Sequence, residues 1–313
     1  LFRSKNYKMK IKITYHIMPW EIDFALISFM QLKKSKYYID PKVKIKINAV
    51  LNMSSYLINW DNTKLPKELF KQKFKDLGAL LKDYEYDPFI YEGNEIYGIL
   101  DMQKNSYESD VDYYINITQD MYFSETLLAS LIESAKLIKN KYFVVTPEIY
   151  KMWDNTWDEI TNKKYLNVPY NNWDKADIFD IRYDLKMSKE DMHLQPTQRS
   201  KWAWWLDLYN KAFYEDFAPV QEDMKGYGAW DWYTLMLSEY AKSKGADFQE
   251  YVLRGQTIYE YPIGPLKARG FTGYYKDYFD IKVNAPQQRQ HFESNMQLYL
   301  ERGVENLRQK GII

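Results

Sequence analysis

The sequence predicts an α/β protein with a mostly parallel central sheet flanked by helices, an aromatic-rich region beyond it and a closing C-terminal helix. Three observations near the N-terminus predict it. Residues 11–17 alternate apolar and polar, residues 22–30 place apolar side chains at helical spacing, and residues 43–51 alternate again. Strand, helix, strand is the unit of a parallel sheet, in which the helix carries the chain back to the starting edge.

The elements follow in order. Ile11, Ile13, Tyr15 and Ile17 against Lys12, Thr14 and His16 form the first strand, which Pro19 ends. Ile22, Ala25, Leu26, Phe29 and Met30 mark the first helix, and Asp40-Pro41 breaks the chain. Val43, Ile45 and Ile47 alternate with Lys44 and Lys46 in a second strand running to Leu51. An amphipathic helix is expected over 65–82, then a loop at Asp87-Pro88 and a helix-like stretch to about Lys104. Tyr113 to Ile117 reads as a short apolar strand. Ser124 reads as the N-cap of a helix whose face is Leu127, Leu128, Leu131, Ile132, Ala135 and Ile138. Tyr142 to Thr146 reads as a buried strand ending at Pro147.

Beyond Pro147 the texture changes. Residues 148–245 are Trp-rich, irregular and partly helical, with a helix over Leu235 to Ala241. Residues 246–280 hold a strand around Ile258, and a last helix from about Pro286 carries Phe292, Met296, Tyr299 and Leu307. The expected organisation is therefore an extension at 1–8, an α/β half at 9–147, a second half at 148–245 and a C-terminal region at 246–313. Trp-Asp pairs at 60–61, 153–154, 157–158, 173–174 and 230–231 are irregularly spaced, which excludes a WD-type propeller.

Composition excludes several function classes. The 313 residues suit two domains or one large α/β domain. Lys+Arg and Asp+Glu are both 43, so there is no cation surplus for a nucleic-acid backbone, and no nucleic-acid partner is expected. Cysteine is absent, which removes disulfides, thiolate zinc sites and a cysteine nucleophile and fits a reducing cytoplasm. No apolar run approaches the ~20 residues of a membrane span, and the first residues lack the apolar core of a signal peptide. Tyr at 30 and Trp at 10 fit either an AT-rich coding bias or a surface that stacks on sugars.

In open α/β sheets, ligands bind outside the carboxyl ends of the strands. After the first strand comes His16-Ile-Met-Pro19-Trp-Glu21-Ile-Asp23, with no glycine-rich turn; neither GxGxxG nor GxxxxGK[ST] occurs in the chain. That argues against dinucleotide-binding and P-loop enzymes. Glu21 and Asp23 either help backbone groups hold a nucleotide or are acids favoured by a helix N-terminus. The strand at 113–117 leads into Thr118-Gln119-Asp120. A carboxylate there can hold Mg²⁺ or Mn²⁺ across two phosphates, or can simply cap the next element. Asp110 and Asp112 precede that strand and so belong to the opposite edge. The third place is Glu222-Asp223-Met-Lys-Gly226-Tyr-Gly228-Ala-Trp230-Asp231, two glycines delivering an acid to a helix start. An acid there stays ionised, as a general base must, though a capping role is the plainer alternative.

Together these parts resemble the GT-A-fold glycosyltransferases, and Gly226-Tyr-Gly-Ala-Trp-Asp231 is similar to the Gly-rich turn and acid of galactosyltransferase-like members. The resemblance implies a transferase moving a sugar from a UDP- or GDP-linked donor to the hydroxyl of a glycan or other acceptor. It implies that Thr118-Gln119-Asp120 occupies the DxD position, Asp120 being the ligand of Mn²⁺ or Mg²⁺ and Thr118 and Gln119 lying beside the donor. Donor contacts then fall to His16, Pro19, Glu21 and Asp23, the catalytic acid to Asp231, and acceptor contacts to Trp153, Trp157, Trp230 and Glu222. Thr118 stands where the motif's first Asp is expected and Trp230 where the acid pair's first member is expected. No His lies between His193 and His291 to complete a metal site. Those departures favour the alternative, a non-catalytic carbohydrate-binding or assembly protein on the same scaffold. A nucleotidyltransferase is disfavoured, because Pro19-Trp-Glu is neither glycine-rich nor basic.

Overall fold

A computed structural model describes residues 9–19, 22–55, 60–62, 67–93, 107–118, 121–151, 192–197, 206–219, 221, 223–224, 229–260 and 285–313. The strands are β1 (Lys10–Ile17), β2 (Lys44–Asn52), β3 (Glu85–Tyr91), β4 (Tyr113–Thr118), β5 (Met121–Tyr122), β6 (Tyr142–Lys151), β7 (His193–Pro196), β8 (Leu206–Asn210) and β9 (Phe248–Glu260). The helices are α1 (Ile22–Ser35), α2 (Lys67–Gly78), α3 (Leu127–Ala135), α4 (Lys211–Phe217), α5 (Ala229–Ser243) and α6 (Ala285–Gln309). One sheet runs β3-β2-β1-β4-β8-β6-β9-β5, and β7 pairs with β9. β3, β2, β1 and β4 are parallel; β8 is antiparallel to both β4 and β6; β6 and β9 are parallel again. This is the mostly parallel sheet with flanking helices and a closing helix that the sequence predicted.

The strand period of two sends alternate side chains to opposite faces, and each face builds its own core. Ile11, Ile13, Tyr15 and Ile17 of β1, Ile45, Ile47 and Leu51 of β2, Ile115 and Ile117 of β4 and Leu206 and Leu208 of β8 point to one face. There they meet Phe29 and Leu32 of α1, Phe70 and Phe74 of α2 and Leu127, Leu128 and Leu131 of α3. Each such buried aliphatic or aromatic side chain contributes about 1.5–3 kcal/mol by leaving water. The other face is aromatic at its amino end, where Tyr114, Tyr142, Tyr209 and Phe248 pack under Phe213, Phe217, Trp230 and Tyr233. Tyr114 and Tyr214 stack at 4.0 Å between centroids. Asn210 caps α4, its side chain accepting the Phe213 N–H at 3.2 Å.

A buried cation sits at the edge of that aromatic layer. Lys12, 1% exposed, donates to Glu108 Oε1 at 2.6 Å, and Lys46 reaches the same oxygen at 3.0 Å. Burial pushes the Lys12 ammonium down, against the pull of Glu108. Burial also works against the Glu108 carboxylate, yet its bonds to the two lysines hold it below the usual carboxylate range.

Three local expectations need correction. Residues 85–91 form an edge strand on β2, not a loop leading into a helix; the helix-like stretch beyond 93 lies largely outside the described residues. Pro88 is tolerated because an edge strand has one side free of ladder bonds. β6 does not stop at Pro147 but continues to Lys151 through a register shift between Pro147 and Glu148. The cap of α3 is Thr126, without a side-chain cap bond, while the Ser124 hydroxyl bonds Thr126 and Gln256.

Candidate functional site

The strand order reverses between β1 and β4, with β2 and β3 on one side and the rest of the sheet on the other. Such a switch point opens a crevice outside the carboxyl ends of the strands, where open α/β sheets bind ligands. The last inward turn of β1 supplies His16, which lies opposite Val50 of β2 and Thr118 of β4. His16 is 3% exposed, and burial pushes its pKa down to about 3, so the imidazole is neutral at pH 7. Asn52, at the end of β2, fixes the ring. Its Oδ1 accepts the Ser54 N–H at 3.2 Å, which leaves Nδ2 to donate to His16 Nε2 at 3.4 Å. An amide nitrogen only donates, so Nε2 is the acceptor and the proton resides on Nδ1. Beside it, the Thr118 hydroxyl is buried with no hydrogen-bond partner among the described residues.

One residue pair deeper, a polar row crosses five strands. Asn48, Thr14, Asn116 and Asp207 are in register on β2, β1, β4 and β8. Thr146 of β6 extends the row by donating to Asp207 Oδ1 at 2.8 Å, and the Tyr209 hydroxyl donates to Oδ2 at 3.3 Å. Asp207 is fully buried, Thr14 is 1% exposed and Asn116 2%. The Thr14 hydroxyl and Asn48 Oδ1 join Thr118 as buried oxygens without a partner among the described residues. Orphaned buried oxygens cost about 1–3 kcal/mol each, and three of them stand on adjacent strands here.

Residues 244–247 join α5 to the start of β9, and α5 packs on that strand. The first turn of α5 carries Trp230, which packs on Tyr209 and Tyr214 in the aromatic layer at the amino end of the strands.

The predicted residues fall out as follows. His16, Thr118 and the buried Pro19 lie together at the carboxyl ends of β1 and β4. Asp23 is in the first turn of α1 and Asp231 in the first turn of α5, their side chains outside the described residues. Glu21, Gln119, Asp120, Trp153, Trp157 and Glu222 also lie outside the described residues. Trp230 requires correction as an acceptor contact: it is 1% exposed, its indole N–H donates to the Ala218 carbonyl at 2.6 Å, and its ring packs on Tyr209 and Tyr214. A residue so enclosed offers no face to a sugar. Among the described residues no group of three or more His, Cys, Asp or Glu is placed to hold a metal ion. No helix of the described residues is long and apolar enough to cross a membrane.

Asn52, Asp207 and Thr146 were missed as site candidates. The available signal was the polar partner set of each alternating strand, which ordinarily faces water but here is buried.

No family model matches the chain, and no curated protein matches it. Among solved structures it is similar to S. aureus TarS 1-349 in complex with UDP-GlcNAc, at 10% identity and a TM-score of 0.44, over 96% of this chain and 72% of that one. It is similar to a second structure of S. aureus TarS 1-349 at 10% identity and a TM-score of 0.42, over 83% of this chain. It is also similar to GalNAc-T7 with UDP, GalNAc and Mn²⁺, at 11% identity and a TM-score of 0.43, over 89% of this chain. The chain spans 65% of TarS 1-349 in the second comparison and 50% of GalNAc-T7.

Proposed function

We propose that the protein transfers a sugar from a nucleotide diphosphate donor to an acceptor hydroxyl. The observation that carries this reading is the pair at the switch point, a neutral buried His16 facing a buried Thr118 hydroxyl that has no partner among the described residues. Hydroxyl and amide groups can donate to the oxygens of a diphosphate, and Thr118 and Asn52 carry such groups at this edge. The segment Thr118-Gln119-Asp120 leads off β4 at this edge. Its oxygen donors fit Mg²⁺ or Mn²⁺, which are held by one or two carboxylates plus substrate phosphates. Thr118 and Asp120 would hold the cation, which when bound neutralises charge on the departing diphosphate. Asp231, in the first turn of α5, would take the proton of the attacking hydroxyl, the helix dipole keeping its carboxylate ionised. Trp153 and Trp157 would stack on the acceptor, with Glu222 bonding its hydroxyls.

A second reading, a non-catalytic carbohydrate-binding protein, draws on the missing acids at Thr118 and Trp230. One set of measurements separates the two. UDP, GDP and UDP-GlcNAc, each with Mn²⁺, are tested for thermal stabilisation and for donor hydrolysis. A ligand at a hundredfold excess over Kd stabilises by about 2.7 kcal/mol. The transferase reading expects stabilisation by one diphosphate and its loss in Asp120→Ala; no stabilisation by any of them refutes it. The binding-protein reading expects glycan affinity that survives Asp120→Ala.

A further inference from the structure

A basic surface lies at the edge of the sheet opposite the candidate donor site. Residues 36–43 join α1 to β2, and β2 is parallel to β1, so this connection sits at the amino edge. Residues 82–84 lead into β3 at the same edge. The Tyr84 hydroxyl donates to the Leu32 carbonyl at 2.6 Å, and Lys36 Nζ stands 5.0 Å from the centre of the Tyr84 ring, so the two connections form one surface. Lys33, Lys36, Lys42, Lys44 and Lys82 are exposed on it, and none has an ion pair among the described residues. The exposed acids beside them are Asp40, Asp83 and Glu85, and Asp40 Oδ1 already accepts the Lys42 N–H at 2.8 Å. Between the lysines stand Tyr37, 84% exposed, and Tyr38, 50% exposed, whose hydroxyl donates to Glu125 Oε1 at 2.8 Å.

This chemistry suits an anionic partner that is extended rather than a single phosphate. Lysine supplies compact charge without the planar fork with which arginine grips one phosphate, and residues 9–93 contain no arginine. Lysine beside tyrosine is the pairing of a membrane–water interface. The tyrosine ring enters the headgroup region with its hydroxyl still wet, while lysine stems lie along the boundary and their ammonium groups reach lipid phosphates. Nucleic acid is disfavoured, because the chain as a whole has no cation surplus, whereas a lipid leaflet meets only this edge. We propose that the amino edge around the α1–β2 connection docks the protein reversibly on a membrane surface rich in anionic lipid. β1 is eight residues long, so the candidate donor edge would stand about 26 Å further from the bilayer and face away from it.

The test is co-sedimentation of the full chain with phosphatidylcholine vesicles, with and without one-third phosphatidylglycerol. The expected result is binding to the phosphatidylglycerol vesicles at about 0.05 M salt, release at about 0.5 M salt, and no binding to phosphatidylcholine alone. Each lysine facing an anionic leaflet contributes about 1 kcal/mol, or about fivefold in partitioning, so Lys33→Gln, Lys36→Gln and Lys42→Gln combined should weaken binding at least about twentyfold. Tyr37→Ser should weaken it at least about threefold through lost apolar area. All four side chains are exposed, so the variants keep the fold, which unchanged urea unfolding verifies. The proposal is overturned by no binding to phosphatidylglycerol vesicles, by equal binding to phosphatidylcholine, or by wild-type binding in either variant. Tighter binding to RNA than to vesicles at the same salt would assign the surface to nucleic acid and overturn it too. The diphosphate measurements use no vesicles, so the two proposals fail separately.

Discussion

The buried imidazole at the end of β1 makes stability depend on pH over a defined window. His16 has a folded-state pKa of about 3, lowered from 6.5 by burial. Between those values the unfolded chain binds a proton that the folded protein excludes, so stability rises with pH across the window. The contribution is fully present above pH 6.5 and is lost as pH falls toward the folded value. Each pH unit inside the window is worth about 1.4 kcal/mol, so moving from pH 6.5 to about pH 5 removes about 2 kcal/mol. His16→Gln replaces the ring with a group that does not titrate. Urea unfolding of both proteins from about pH 7.5 to about pH 5 should give a steeper fall for the wild type by that amount. Carboxylate titration is common to both and cancels in the difference. Parallel stability profiles, or an imidazole titrating near 6.5 by NMR, would show that the ring is hydrated and the reasoning wrong.

Other perturbations address the two faces of the sheet. Trp230→Ala empties the centre of the aromatic core and leaves the Ala218 carbonyl without its indole donor, a loss of about 3–5 kcal/mol by urea unfolding. Asp207→Ala strips the acceptor from the Thr146 and Tyr209 hydroxyls and should cost about 1–3 kcal/mol by the same assay, with Asp207→Asn milder. Glu108→Ala removes the carboxylate to which the buried Lys12 ammonium donates and should destabilise by about 1–3 kcal/mol. Lys12→Met in that background should recover most of the loss, and a double variant no more stable than Glu108→Ala would refute the pairing.

Much of the fold was legible because its main strands announce themselves. β1 and β2 alternate cleanly, and the apolar stripes of α1, α2 and α3 recur at helical spacing. β3 was hidden because an edge strand with Asp87-Pro88 and mostly exposed side chains carries no apolar period. β8 was hidden for another reason: five residues are too few to show a period, and its place between β4 and β6 is set by pairing over long sequence distance. At the candidate site, the carboxyl-edge rule pointed to His16 and Thr118, which stand opposite each other on adjacent strands. The polar row of Thr14, Asn48, Asn116 and Asp207 was not legible, since the sequence of a single strand does not say whether its polar side is covered. Trp230 misled because the same residue type serves sugar stacking and core filling, and only its neighbours decide between them.

The position of β8 also orders assembly in time. β4 and β6 have no ladder bonds to each other; both depend on a strand synthesised after them. During translation β1, β2, β3 and β4 can pair as they emerge, whereas β6 waits with both edges bare until β8 and then β9 arrive. An extended apolar segment with unsatisfied edges invites pairing with other chains. The nascent protein is thus most vulnerable to aggregation while its middle third leads and its last third is unmade, and a chaperone acting on it would find its target in Tyr142–Lys151.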